Sequence, residues 1–374
     1  MCKKKMGIFL LVFVMLFTIL PHSFAATTVP NDEMRKIALN APVVFGYNYE
    51  WQISKETVLY NSTESIVAVC FDMKNTDEIA LVSDTSDEVP ATAYAIINTD
   101  ETGNPILLFG VFGISPYYDG DFNRAYYLGS MEYYAEKDGV YTNLSTNDSA
   151  EYETFSAVDT SIVQKKSYEN YSAVRAQFLN PADGPSILAT NGSKILSGVP
   201  NLQWRKGCAP TTVAMLISTK YSVYNTTTMI DSLATSMGTN PSTGGTGFAG
   251  VVSGTKSYIK SNSNMVTPAF CGWPSANSNN VPYTGLSNNT KDAFQSSINA
   301  GYPVGVGITS SNVTTPGFPN GIGGHMMAGI GYSFAASGDY IICHTTNVAD
   351  GNVYFPLTDQ GLHDHYWLLL LWTL

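Results

Sequence analysis

Short apolar blocks recur along the first third of the chain, and each is followed by a cluster of Asn, Asp, Ser, Thr or Gly. The blocks cover residues 57–60, 65–71, 79–82, 94–98 and 105–110. Apolar runs of this length, separated by turn residues, are typical of strands in an antiparallel sheet. Residues 32–39 have the pattern of a short helix. We therefore predict a mainly antiparallel β domain over residues 27–141.

The apolar pattern weakens over residues 142–198. Asn180-Pro181 and Asn191-Gly192 fall in this stretch, and such pairs interrupt helices and central strands. We expect a linker here, with Lys165, Lys166 and Arg175 as targets for maturation by cleavage.

The C-terminal segment, residues 199–374, changes from helical to strand patterns. Helices are predicted over residues 210–221, 228–237, 251–259 and 290–300, and strands over residues 302–308, 324–332, 339–345, 351–357 and 365–374. Helices followed by an antiparallel sheet indicate the α+β class.

Composition narrows the possible partners. The chain has 374 residues, which suits about two domains, and its formal net charge is −11. Only 13% of its residues are charged. Binding to nucleic acid or to an anionic membrane surface requires clustered Lys and Arg, so both are excluded as expected partners.

The N-terminus has the pattern of an export signal. Lys3, Lys4 and Lys5 precede an apolar run over residues 7–20, and Ser23-Phe24-Ala25 supplies small residues for a signal peptidase. The run is shorter than the roughly 20 residues needed to span a bilayer. We predict a cleaved signal over residues 1–26, no remaining membrane span, and a secreted or cell-surface protein.

Four cysteines follow that signal: Cys70, Cys208, Cys271 and Cys343. An even number in an exported protein permits two disulfides, but four in some 350 residues do not form a disulfide scaffold. The absence of a C-x-x-C pair from the sequence argues against a structural zinc site. Both free thiols and disulfides remain open.

Cys208 stands out because of its position before a helix. Pro210 favours the first turn of a helix, so Cys208 lies at or just before the N-terminus. The positive end of the helix dipole favours the thiolate, which is the nucleophilic form. The alternative is an ordinary buried cysteine.

The chain has five histidines as candidates for the general base that would activate Cys208. His325 opens a strand behind Gly323-Gly324, which leaves its ring at the sheet edge, whereas His344 lies within an apolar strand. His363-x-His365 lacks an evident third ligand. We therefore predict His325 as the partner of Cys208, with no metal and no cofactor. A core histidine is the alternative.

Gln203 lies five residues before Cys208. A side-chain amide there is able to donate to the oxyanion formed during attack, although a glutamine near a cysteine is more often a solvated loop residue.

The residues Gly207-Cys208-Ala209-Pro210-Thr211, Gly324 to Tyr332 and Tyr340 to His344 carry a resemblance to a known family. The segment from Val199 onward resembles papain-like cysteine peptidases related to the double-glycine-leader (bacteriocin-processing) peptidases. The resemblance implies that Cys208 is the nucleophile, His325 the general base and acid, and Gln203 the oxyanion donor.

The third catalytic group departs from the family pattern. Relatives commonly have Asp or Asn just after the strand that follows the histidine, whereas Thr345 occupies that position here. We expect Asn347 to orient the imidazole, with Asp350 as the alternative.

The N-terminal half resembles the streptopain-like propeptide domain of secreted bacterial cysteine peptidases. The resemblance is carried by residues 65–71, 95–100, 105–109, 115–118 and 125–129. It implies that this domain assists folding or blocks the cleft until it is cut.

These features together predict a secreted cysteine endopeptidase made as a zymogen, acting on peptide or protein substrates. Two alternatives stay open. One is a catalytically degenerate domain that binds peptide or cell-wall ligands, as the missing carboxylate at Thr345 suggests. The other keeps the thioacyl chemistry but transfers or hydrolyses peptidoglycan amides.

Overall fold

A computed structural model describes residues 29–77, 89–101, 103–128, 133–144, 149–150, 155, 171–181, 192–221, 226–262, 290–308, 325–335, 338–356 and 366–369. Several predicted features lie outside these residues: the export signal, the strand over residues 79–82, Lys165-Lys166, Cys271 and the His363-x-His365 pair.

The helices of the described residues are α1 (Asp32–Val44), α2 (Tyr171–Leu179), α3 (Cys208–Lys220), α4 (Thr226–Met237), α5 (Phe248–Ser261) and α6 (Thr290–Asn299). The strands are β1 (Trp51–Tyr60), β2 (Ile66–Asn75), β3 (Thr92–Asn98), β4 (Ile106–Val111), β5 (Arg124–Tyr127), β6 (Tyr133–Lys137), β7 (Val140–Asn143), β8 (Ser149–Ala150), β9 (Ser193–Ile195), β10 (Val304–Ile308), β11 (His325–Ala335), β12 (Gly338–His344), β13 (Asn352–Pro356) and β14 (Tyr366–Leu369).

One mixed α/β architecture results, because the described strands join into a single 14-stranded sheet. Its order is β14-β10-β11-β12-β13-β4-β3-β2-β1-β5-β6-β7-β8, and β9 pairs with β11. Pairing is antiparallel except between β1 and β5. The division into residues 27–141 and 199–374 stays a prediction. The sheet extends across the boundary between these two segments, because β4 pairs with β13.

The linker predicted over residues 142–198 is wrong in part, since it contains α2 and β9. Arg175, expected as a cleavage target, is buried in α2 and donates to Glu33 Oε1. Asn40 Nδ2 in α1 donates to Phe178 O at 2.7 Å, and Phe178 is fully buried. Val174, Phe178 and Leu179 have the spacing of one apolar helix face, which packs against the main core. The prediction of a linker gave most weight to Asn180-Pro181, the helix-breaking pair directly after this helix.

The N-terminus of α1 is fixed by its local sequence. Asn31 Oδ1 accepts a hydrogen bond from Met34 N at 2.8 Å, so Asn31 caps the helix. Asp32 and Glu33 place negative charge in its first turn, where the helix dipole favours it. The helix runs five residues beyond the predicted end, because Ala41, Pro42 and Val44 are buried.

A single apolar core lies along one face of the sheet and is shared by both halves of the chain. It contains apolar side chains of α1, α3, α4 and α5 together with alternate residues of β2, β3, β4 and β11. On the opposite face, Phe294 and Ile298 of α6 pack against Val304 and Val306 of β10. Helices therefore cover both faces of the C-terminal strands, which fixes β11 and its first residue, His325.

The described helices include none that is long and apolar enough to cross a membrane.

Candidate active site

Cys208 is the first residue of α3, and its side chain is half-buried. Gly207 caps this helix with a φ of 154°. A Cβ atom at Gly207 would overlap with Gly244 O and lie 3.1 Å from Thr239 Cγ2. Only glycine fits here, and it allows the chain to turn sharply into α3 so that the thiol stands at the positive end of the helix.

Two buried threonines hold the N-terminal part of α3 in place. Thr211 Oγ1 accepts from Arg205 N at 3.0 Å and donates to Gly207 O at 2.8 Å, which ties the preceding loop to the first turn. Thr212 Oγ1 donates to Met326 O at 2.8 Å. Thr212 thus joins α3 directly to β11, one residue from His325.

His325 lies beside Cys208, close enough for its charge and its hydrogen-bonding capacity to act on the thiol. Burial raises the pKa of the Cys208 thiol, but the charge of His325 and hydrogen bonding by that ring outweigh burial, and the net pKa is lowered. The backbone N–H groups of Met326 and Ala209 lower it further. The site therefore favours the thiolate form of Cys208.

The orientation of the histidine ring is set by the backbone. His325 Nε2 lies 2.7 Å from Thr345 O, and a carbonyl oxygen only accepts hydrogen bonds. Nε2 therefore carries a proton, which leaves Nδ1 as the basic nitrogen of the neutral ring. That tautomer is the one needed for Nδ1 to take a proton from a thiol.

Behind Thr345 lies a buried carboxyl group, that of Asp350, which is 3% exposed. Asp350 Oδ2 accepts from Thr345 Oγ1 and Oδ1 accepts from Asn347 Nδ2, both at 2.7 Å. Burial raises the pKa of Asp350 to about 7, although these two hydrogen bonds and the charge of His325 act in the opposite direction. Asp350 therefore changes its ionisation near neutral pH.

The structure places Asn347 in the turn beside this carboxyl group. Its Nδ2 donates to Asp350, and its Oδ1, the atom expected to accept from the imidazole, accepts from Ala349 N at 3.3 Å. The atom that contacts His325 Nε2 at 2.7 Å belongs to Thr345. The roles predicted for Asn347 and Asp350 stay untested, and the geometry adds Thr345 between them and the ring.

Gln203 lies against the same turn. Its Oε1 accepts from Val348 N at 3.3 Å, and the next residue, Trp204, donates its N–H to Thr346 O. Because Oε1 of the Gln203 side-chain amide binds the turn, the NH2 group of the same amide is directed away from the turn. The predicted role as oxyanion donor remains a prediction that this orientation permits.

A cavity of about 390 Å³ opens beside the nucleophile loop. It is lined by residues 204–206 on one side and residues 241–244 on the other. The Trp204 ring forms part of its wall and packs against Gly244, where a Cβ atom would lie 2.5 Å from Trp204 Cζ2. The cavity combines an aromatic surface with the cations Arg205 and Lys206.

The other described cysteines and histidine differ in their surroundings from Cys208 and His325. Cys70 and Cys343 are free and fully buried, and burial raises the pKa of both thiols. His344 lies 3.0 Å from Asn352 Oδ1, and burial lowers its pKa. Within the described ranges, no group of three or more His, Cys, Asp and Glu side chains is arranged to hold a metal.

Sequence reasoning missed Thr345 as a functional residue. Its contribution to the ring is a backbone carbonyl, which every residue type possesses, so no residue pattern marks it. The one available signal was its position, since Thr345 stands where relatives commonly have a carboxylate. Thr211 and Thr212 were missed because they look like ordinary residues of a buried helix.

Residues 196–368 match the sequence profile of the family described as the Peptidase_C39 like family. The match includes Cys208, His325, Thr345 and Asp350 and excludes the N-terminal half. A comparison with curated proteins finds no match to the chain.

Proposed function

We infer that the segment over residues 196–368, which matches the Peptidase_C39 like family, is a cysteine peptidase domain. From this premise we propose that it hydrolyses peptide bonds within protein substrates, with Cys208 as the nucleophile and His325 as the general base and acid. The observation that carries the assignment is the lowered pKa of the Cys208 thiol, which the charge of His325 produces against the raising effect of burial, together with the bond from Thr212 to Met326 O that joins α3 to β11 beside His325.

Acylation begins when the Cys208 thiolate attacks the carbonyl carbon of the scissile peptide. A C–S bond forms, and the carbonyl π electrons move to the oxygen. When the C–N bond breaks, the imidazolium of His325 gives its Nδ1 proton to the leaving nitrogen. The products of this step are a thioester on Cys208 and a free amine.

Deacylation uses the same ring as a base. Nδ1 of neutral His325 removes a proton from water, and the resulting hydroxide attacks the thioester carbon. The C–S bond breaks, the sulfur leaves as thiolate, and the second product is a carboxylic acid. The hydrogen bond from Nε2 to Thr345 O holds the ring in one tautomer during both steps.

The oxyanion formed in each step requires donors. The N–H of Cys208 lies in the first turn of α3, where backbone donors have no intrahelical acceptor. The NH2 of Gln203 is the proposed second donor, because its carbonyl end is held by Val348 N. Two donors of this kind stabilise the developing negative charge.

The cavity beside residues 204–206 is the proposed site for a substrate side chain. Trp204 offers an apolar face, and Lys206 adds a positive charge at the rim. A peptide bound along the nucleophile loop would place one side chain here, next to the scissile bond.

Export and cleavage within residues 142–198 during maturation belong to the same proposal. They are supported by the basic and apolar start of residues 1–26 and by Lys165-Lys166. A secreted or cell-surface location follows from the export signal.

The experiment compares cleavage of casein by the full chain with cleavage by Cys208→Ala. Loss of cleavage in Cys208→Ala is expected, whereas Cys343→Ala should retain it because that thiol is buried in β12. Mass spectrometry of the products distinguishes hydrolysis from transfer to an amine. Casein cleavage that survives in Cys208→Ala would refute the assignment.

A second candidate, a peptide-binding domain without catalysis, is favoured by one observation. The ring partner of His325 is a carbonyl oxygen in place of the carboxylate common in relatives. Tight binding of casein peptides with no turnover, combined with slow alkylation of Cys208, would select this candidate.

A further inference from the structure

The N-terminal half meets the C-terminal half next to the candidate active site. Strands β4 and β13 are antiparallel neighbours, with Val111 opposite Asn352 and Phe109 opposite Tyr354. We call residues 111–114, which begin at the last residue of β4, the brace loop, and residues 345–351, which precede β13, the acid turn. Because the strands are antiparallel, the brace loop and the acid turn lie side by side at the same end of this pair.

The contact between them is made by backbone atoms at close range. Ile114 N donates to Ala349 O at 2.9 Å. A Cβ atom on Gly113 would overlap with the backbone of Ala349 and Asp350. Gly351 has a φ of +67°, and a Cβ atom there would overlap with Val111 O and lie 2.8 Å from Gly113 N. Glycine on both sides allows the two segments to pack without intervening side chains.

The acid turn is also the segment that orients the catalytic ring. Thr345 O accepts from His325 Nε2, and Thr345 Oγ1 donates to Asp350. The brace loop contacts the backbone of Asp350. One continuous set of contacts therefore leads from the N-terminal domain through Asp350 and Thr345 to His325.

The charged and buried groups around Asp350 also connect this carboxyl group to the N-terminal half of the chain. The described titratable side chains that face this carboxyl group are His325 from β11 and Tyr94 from β3. Burial raises the pKa of Tyr94, and the charge of Asp350 raises it further. The N-terminal sheet thus supplies part of the environment of Asp350.

The two halves also share contacts that do not depend on residues 142–198. The Phe45 ring lies 4.7 Å from that of Phe109 in its own half, and 4.9 Å and 4.6 Å from those of Tyr340 and Tyr354 in the other. The hydroxyl oxygens of Tyr47 and Tyr354 are 3.0 Å apart. A cut within residues 142–198 would leave all of these contacts in place.

We propose that the N-terminal domain is a positioning part of the peptidase. Its brace loop holds the acid turn so that Thr345 O orients His325, and the domain stays bound to the catalytic segment after any cleavage within residues 142–198. This inference rests on the proposed function of Cys208 and His325. It differs from the expected role of a propeptide that blocks the cleft until removed.

The first test introduces Gly113→Ala into the full chain, with Gly247→Ala as the control. Gly113 does not occupy the left-handed region, so added volume is the main effect of its replacement. A Cβ atom at Gly247 has nothing within 4 Å, and its φ of −67° suits alanine. Both proteins are assayed for kcat, KM, the unfolding midpoint and the pH dependence of Cys208 alkylation by iodoacetamide.

The proposal predicts that Gly113→Ala lowers kcat by about tenfold to hundredfold at temperatures where it is fully folded, because a misplaced catalytic group loses activity steeply. KM should change by less than about twofold, since the expected substrate cavity is elsewhere. Alkylation should require a higher pH, nearer that of a free thiol. Gly247→Ala should match the wild type in all four measurements.

Equal kcat and equal alkylation profiles in Gly113→Ala and the wild type would overturn the proposal. If the wild type neither cleaves casein nor reacts with iodoacetamide below about pH 8, the proposed function fails instead. The alkylation profile tests the brace loop even when no substrate is turned over.

A second test keeps the proposal open to refutation if Gly113→Ala does not fold. A site for a sequence-specific protease is inserted within residues 156–170 of the otherwise intact chain, and the chain is cut there. Co-elution of the two pieces with activity within about twofold of the uncut protein is expected, because the pieces share one core and one sheet. Separation of the pieces with equal or greater activity in the C-terminal piece would overturn the proposal.

Discussion

His325 Nε2 lies 2.7 Å from the carbonyl oxygen of Thr345, so a backbone atom holds the ring that faces Cys208. A carbonyl fixes the tautomer of the ring as a carboxylate would, but it carries no full negative charge to stabilise the imidazolium. Asp350, hydrogen-bonded to the Thr345 hydroxyl, is the nearby group able to supply that charge. Its pKa of about 7 makes this supply dependent on pH.

Replacement of the base should remove most of the activity. In His325→Ala we expect kcat to fall by about 10²-fold to 10⁴-fold, which is the usual contribution of a general acid-base residue. Alkylation of Cys208 should then follow the titration of an ordinary thiol, because the charge and hydrogen bond of His325 lower its pKa in the wild type. Casein cleavage and iodoacetamide rates across pH measure both effects, and an unchanged alkylation profile would contradict the pairing.

Asp350→Asn should change how stability depends on pH. The carboxyl group of Asp350 has a pKa of about 7 in the folded protein and about 3.9 in an unfolded chain. The protonated group contributes stability fully below about pH 4, and this contribution is lost as the pH rises towards 7.

The neutral amide of Asp350→Asn does not ionise, so the variant should gain stability relative to the wild type between pH 5 and pH 8. The gain has an upper bound of about 4 kcal/mol. Thermal unfolding at several pH values provides the measurement. A constant difference between the two proteins over this range would show that Asp350 does not titrate there.

Loss of the Thr345 hydroxyl should destabilise the acid turn. Thr345→Val keeps the shape of the side chain but removes the donor to Asp350 Oδ2 and the acceptor for Asn347 N. Buried polar groups left unpaired cost about 1–3 kcal/mol. Urea unfolding should show this loss in Thr345→Val, while Thr345→Ser, which retains the hydroxyl, should lose less than half as much. Equal stability of the two variants would exclude an energetic role for the hydroxyl.

Trp204→Ala should weaken substrate binding more than catalysis. The ring forms one wall of the cavity beside the nucleophile loop, so its removal takes away apolar contact area. For peptides with a large apolar residue next to the scissile bond, KM should rise about fivefold with kcat within about twofold, equivalent to roughly 1 kcal/mol of binding. Ser242→Ala, a smaller change in the opposite wall, is the control. A selective fall in kcat would place Trp204 in a different role.

The positions of Cys208 and His325 at the starts of α3 and β11 could be anticipated from local signals. A proline in the first helical turn marks one, and paired glycines before an apolar strand mark the other. Both signals lie within a few residues of the functional group. Residue type and immediate context were therefore sufficient for these two positions.

The rest of the site depends on contacts that leave no local signal. His325 donates its hydrogen bond to a main-chain carbonyl oxygen, which is present whichever side chain stands at position 345. The pairing of β4 with β13 joins segments more than 240 residues apart, and strand registers of this kind are set by packing of the whole sheet. For the same reason the sequence indicated two separate domains, although one sheet and one core extend through both.

The site of covalent labelling by the peptide epoxide E-64 tests the central claim most directly. Casein cleavage should fall in proportion to a single adduct, which peptide mapping should locate on Cys208, because this thiol is half-buried and has a lowered pKa while Cys70 and Cys343 are fully buried. Full labelling of Cys208 with undiminished casein cleavage, or full inhibition with the adduct on another residue, would contradict the claim that Cys208 is the nucleophile.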